Sequence, residues 1–152
     1  MTRQIIVLVG LFLCIGVQAE DSFRLLFVDV RTLHPVVRKP ITFIPRRIIQ
    51  KGDGEENPNM QFAKTISTDF RGEMILTKTL FKELCDSGVC DSKIDGYTSI
   101  VLCEEPIGGS KTEFFHKVIA FHALGTRDGP LRSHTFLSSG VLNTILLNPL
   151  GQ

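Results

Sequence analysis

From residue 23 onward, β-branched, aliphatic and aromatic residues come in short runs, and Pro, Gly, Asp or Asn interrupts each of them. Runs of this length suit strands and are too short for amphipathic helices. Phe23 to Val30 reads as a first strand, followed by the turn-prone Arg31-Thr32-Leu33-His34-Pro35. Ile41-Thr42-Phe43-Ile44 is a second, closed by Pro at both ends, which suits a strand terminus or an edge. Phe62 to Thr68 and Glu73 to Leu76 flank the turn Asp69-Phe70-Arg71-Gly72 and are expected to pair as a hairpin. Tyr97 to Cys103, Glu113 to Leu124 and Val141 to Leu147 complete the set. The period changes once: Thr77 or Thr79 is placed to cap a short helix whose Leu80, Phe81 and Leu84 share a face. About seven strands and one short helix predict a mainly β fold, a single antiparallel β-sandwich.

The first residues set the compartment. Arg3 precedes an unbroken apolar or glycine run from Ile5 to Ile15, and Val17-Gln18-Ala19 supplies a small-x-small ending. That order predicts a secretory signal over residues 1–19, cleaved after Ala19, with the β domain over residues 20–152. A membrane anchor needs about 20 apolar residues, and this run stops earlier, at Glu20-Asp21-Ser22. Secretion, extracellular or periplasmic, and no membrane span in the mature chain are the expectations.

Three cysteines follow the signal: Cys85, Cys90 and Cys103. In an oxidising compartment Cys85 and Cys90 are the best pair, since the four residues between them include Gly88 and allow a tight loop. Other pairings stay open, because spacing does not decide connectivity. The pair leaves Cys103 over, as a free thiol, buried and inert, or as a partner for an intermolecular disulfide.

Removing Arg3 with the signal leaves sixteen basic residues against sixteen acidic ones. No basic block exceeds Arg38-Lys39 or Arg46-Arg47, so the footprint of a nucleic-acid binder is missing. Convergent chemistry is also missing. His116 and His122 share strand parity, but six residues of strand separate them by about 20 Å, too far for one zinc ion. No Gly-x-Ser-x-Gly elbow occurs. Lys51-Gly52-Asp53 lies in a polar, Gly- and Pro-containing loop whose composition is that of solvated chain. No catalytic, cofactor or metal residue is expected.

Leu26-Phe27-Val28-Asp29-Val30, Pro35-Val36 and Thr42-Phe43-Ile44 resemble the first two strands of the transthyretin-like (prealbumin-like) β-sandwich group. Thr65 to Glu73 is similar to that group's T-(S/D)-x-x-G turn, and Thr79-Leu80-Phe81-Lys82-Glu83 and Phe114-Phe115-His116-Lys117-Val118 follow in order. The resemblance covers Phe23 to Leu124. It implies one of three activities: ligand carriage in a tetramer channel, hydrolysis of 5-hydroxyisourate, or extracellular binding. The hydrolase carries a terminal Tyr-Arg-Gly-Ser motif, and Asn148-Pro149-Leu150-Gly151-Gln152 does not match it.

The expectation is a secreted, non-enzymatic binding module, acting through loops or a sheet edge on a protein or small extracellular ligand. The alternatives are an assembly subunit, homo-oligomeric through edge pairing or through Cys103, and a small hydrolase dependent on His116 or His122. Val141 to Leu147 is the segment on which edge pairing turns: it completes the fold internally or leaves an edge open.

Overall fold

The computed structural model describes residues 22–46, 58–85, 88–106, 116–126 and 129–151. Residues 1–19, expected as a signal, Arg47 and the Lys51-Gly52-Asp53 tripeptide lie outside them. The chain is mainly β, with two sheets and one α-helix among the described residues.

Nine strands are described: β1 (Ser22–Asp29), β2 (Pro40–Pro45), β3 (Lys64–Ser67), β4 (Glu73–Thr77), β5 (Val89–Ile94), β6 (Ile100–Pro106), β7 (His116–Thr126), β8 (Gly129–Phe136) and β9 (Leu142–Leu147). Helix α1 (Lys78–Leu84) follows β4, and a 3-10 turn covers Pro58–Phe62. One sheet has the order β4-β1-β9 and the other β3-β2-β5-β6-β7-β8. The count exceeds the expected seven because β5 follows the cysteine loop directly and β8 occupies what reads as a polar turn region. Cross-strand pairing with β6 and β7 extends both segments despite their polar composition.

Alternation explains the elements. Phe23, Leu25 and Phe27 of β1, Ile41 and Phe43 of β2, Met74 and Leu76 of β4, and Ile145 and Leu147 of β9 are buried, while the residues that alternate with them are not. Both sheets contribute to one hydrophobic cluster, which also takes in Phe81 and Leu84 of α1. The helix starts where Thr77, in extended backbone, accepts from the Leu80 amide at 3.0 Å.

Two expectations are corrected. The segments flanking Asp69–Gly72 do not form a hairpin: β3 pairs with β2 in the six-stranded sheet, and β4 pairs with β1 in the other. The turn therefore carries the chain from one sheet to the next. Nor is the arrangement wholly antiparallel, because β9 runs parallel to β1, from Arg24 opposite Leu142 to Asp29 opposite Leu147. The chain returns to β1 from β8 through residues 137–141, entering at the same end as β1, so it has no other direction available. Val141 to Leu147 thus completes the smaller sheet, with one side paired to β1.

Buried polar side chains secure these crossings. The Asn143 amide donates to Arg24, Ser138 and Val141 carbonyls and accepts from the Ser138 amide at 2.8 Å, which locks the turn before β9 to β1. Ser92 both donates to and accepts from the backbone of Ile100. Thr68 donates to the Val36 carbonyl at 2.7 Å and accepts from the Lys39 amide at 3.0 Å.

Candidate functional site

The loop between β1 and β2 and the turn between β3 and β4 are about 30 residues apart in the chain and adjoin in space. Arg38 donates its amide to the Asp69 carbonyl, Phe27 to that of Gly72, and Thr68 to that of Lys39, all at 3.0–3.1 Å. Val36 closes on Phe27 at 2.8 Å. Gly72, at φ 78°, packs so tightly that a Cβ there would stand 2.8 Å from the Pro35 Cβ. Together they make a braced tip at one end of the domain.

Each half of the tip is organised by an aspartate. Asp29 accepts from the Arg31 and Thr32 amides at 2.8 and 3.1 Å and from the Tyr97 hydroxyl at 3.1 Å. Partial burial pushes its carboxyl up, and the hydrogen bonds from Thr32, Arg31 and Tyr97 outweigh this and hold it below the ordinary value. Asp69 accepts from the Glu73 and Arg71 amides, both at 2.8 Å, and these bonds, Glu73 first, lower it likewise. Both carboxylates thus accept from amides of their own turns, and Asp29 from Tyr97 besides. Burial and the Asp29 bond raise Tyr97 above the usual phenol value.

What the tip presents outward is different. Leu33 is 74 % exposed and Phe70 67 %, and Val37 of the same loop as Leu33 is exposed too. Arg31, Arg38 and Arg71 are exposed, and the Arg71 guanidinium lies 5.2 Å from the centre of the Phe70 ring. Leu33 and Arg38 have φ of 57° and 51° and are the non-glycine residues with left-handed backbone among those described. Such a conformation costs about 1–2 kcal/mol for an ordinary L-residue. Neither side chain gains burial in return. Residues held against local preference are a mark of functional positions.

The residues singled out by sequence fall elsewhere and apart. Cys85 and Cys90 are disulfide-bonded, with Cα atoms 5.1 Å apart, and tie the end of α1 to the start of β5. Cys103 is free and half-buried. It stands opposite Val89 in the β5–β6 ladder while the buried Cys90 stands opposite Leu102, so the two sulfurs project to opposite faces. Burial raises the Cys103 thiol above its ordinary value, and Arg46, which grips Asp91 at 2.6 and 2.7 Å, lowers it only in part. A thiol so held stays protonated and is a poor nucleophile.

His122 is buried on the core side of β7, opposite Ile100 and Ser133, and neither ring nitrogen has a partner among the described residues. Burial lowers its pKa, so the ring is neutral. His116 lies six positions back on the same strand; only its backbone pairing, with Pro106, is described. No group of three or more His, Cys, Asp or Glu able to hold a metal occurs among the described residues. No helix there is long and apolar enough to cross a membrane.

A shallow cleft of about 350 Å³ runs along the β5–β6 turn, lined by Asp91, Lys93, Asp95, Tyr97 and Leu150 among others. The last described residues border it, with the Leu150 amide bonded to the Gly96 carbonyl at 2.8 Å. The tip was not legible as a site in the sequence. Its residues read as turn formers, and tertiary contacts, Arg38 with Asp69 and Thr68 with Val36 and Lys39, bring the two segments together.

Compared with models of protein families, with curated proteins and with solved structures, the chain matches none.

Proposed function

We propose that this chain is an exported, non-enzymatic binding module, and that it binds through the tip formed by residues 29–39 and 68–72. The observation that carries this is Leu33: an aliphatic side chain held outward in left-handed backbone, on a loop whose every turn is braced. Rigid loops with exposed apolar and arginine side chains are what a binding surface requires. Export rests on the composition of residues 1–19, and the Cys85–Cys90 bond is compatible with an oxidising compartment. The fold we assign is a β-sandwich of the transthyretin-like kind; the shared hydrophobic cluster of the two sheets supports the sandwich, and the family rests on the resemblance of Phe23 to Leu124 alone.

A photo-crosslinking residue placed at Val37 and, separately, at Val141 tests the function. Val141 is also exposed and lies at the other end of β1. Adducts with a foreign molecule from Val37 alone are expected. Self-adducts from Val141 would replace the proposal with the assembly reading, in which the smaller sheet pairs between copies through its edge.

A further inference from the structure

Resting on the proposal that the tip binds, we infer that its partner is an anionic phospholipid surface, with Leu33, Val37 and Phe70 entering the interface while Arg31, Arg38, Lys39 and Arg71 meet the headgroups. Within residues 29–39 and 68–72 four cationic side chains stand against two carboxylates. Those carboxylates, Asp29 and Asp69, accept from amides of their own turns. Arg31, Arg38 and Lys39 form no ion pair among the described residues. Since the chain after residue 19 carries no net charge, attraction to an anionic surface has to come from such a local patch.

Shape decides between a membrane and an acidic protein. The apolar side chains project from the crests of turns, Leu33 at 74 % and Phe70 at 67 % exposure. Protein partners need a matching concavity for each such anchor. A bilayer interface accepts protruding apolar groups without shape matching and draws flanking Lys and Arg to its headgroups. Arg71 stacked on Phe70 keeps cation and ring side by side, as an interfacial pair needs.

The test uses the mature chain with vesicles of phosphatidylcholine, with and without phosphatidylglycerol. Co-sedimentation is expected only with phosphatidylglycerol present, and it should fall steeply with added salt. Each of Arg31→Gln, Arg38→Gln and Arg71→Gln is expected to weaken partitioning about fivefold. Phe70→Ser should weaken it too, and Val141→Ser, about 20 Å from Asp29 along β1, should not. The chain has no Trp, so Phe70→Trp is a lone reporter whose emission should shift to the blue on anionic vesicles. Equal binding to both vesicle types, or binding unaffected by the arginine changes, overturns the inference.

Immobilised polyglutamate separates the two levels of failure. Retention there, lost in the arginine variants, with no vesicle binding, would discard the lipid partner and keep the tip as a binding surface. If neither probe is bound and Val37 yields no adduct, the tip proposal falls with it.

Discussion

The Tyr97 hydroxyl donates to the Asp29 carboxylate at 3.1 Å across 68 residues of chain, joining the β5–β6 turn to the end of β1. Asp29 in turn positions the Arg31 and Thr32 amides, so the contact ties the start of the tip to the β5–β6 turn. Tyr97 is itself held by a backbone bridge to Pro149. Tyr97→Phe is expected to lose about 1 kcal/mol of stability, the usual worth of such a bond at a half-exposed site. Amide exchange at Arg31 and Thr32 should quicken in the variant; unchanged protection would mean that Asp29 organises the turn without Tyr97.

Leu33 gives a prediction with opposite signs for stability and binding. Asn tolerates left-handed backbone, so Leu33→Asn should raise stability by about 1 kcal/mol while removing the aliphatic side chain. Denaturant titration and vesicle or crosslink assays of one preparation check both signs. A loss of stability would show that Leu33 serves the fold.

Gly72 permits the close approach of the two halves. Gly72→Ala must place a Cβ 2.8 Å from that of Pro35 and 3.1 Å from the Val36 nitrogen, at φ 78°. We expect destabilisation of about 2 kcal/mol or more. Thermal unfolding would reveal it, and a variant as stable as the parent would mean that the loop moves aside freely.

His122 makes the fold acid-sensitive near neutrality. Its folded-state pKa lies below the unfolded value of about 6.5. The unfolded chain therefore takes up the proton first, and stability falls as pH drops below about 6.5, by up to about 1.4 kcal/mol per pH unit. His122→Leu should abolish this slope and remove two unpartnered buried nitrogens, a gain of about 1–3 kcal/mol at neutral pH. Asp29 and Asp69 act in a separate window. Their folded pKa values are lowered, so their contribution is complete above the ordinary carboxylate value of 3.8 and is lost as pH falls through the folded values. Unfolding midpoints measured from pH 7 to pH 3 resolve the two windows; a slope near pH 6 that survives His122→Leu would assign it elsewhere.

Reduction of Cys85–Cys90 opens a loop of sequence separation 5, for which chain entropy alone predicts a loss of about 2 kcal/mol. Intact mass of residues 20–152 after alkylation in denaturant should show one free thiol, Cys103, before reduction and three after it. Three before reduction would exclude the bond in solution.

Much of the architecture follows from local pattern. The run of β-formers from Phe23 suffices to define β1, and the alternation of Ile41 and Phe43 defines β2 with its buried face. Thr77 followed by Leu80, Phe81 and Leu84 suffices for α1, and the short spacing of Cys85 and Cys90 makes them the leading pair. Those signals are local because they depend on backbone geometry over a few residues. Polar strands such as Val89–Ile94 escape them, since Asp91, Ser92 and Lys93 are held in place by pairing with β2 and β6.

The turn Asp69–Gly72 shows what sequence could determine and what it left to the fold. Asp, Arg and Gly there specify a reversal, because an aspartate caps nearby amides and glycine accepts positive φ. Whether the flanking strands pair with one another or part company is set by competition among distant partners. Here β2 takes β3 and β1 takes β4, and only that parting lays Asp69 and Gly72 against Pro35, Val36 and Arg38. The tip is consequently a product of tertiary structure: its residues are set by sequence as turn formers, and their union into one surface arises from contacts that no local periodicity encodes.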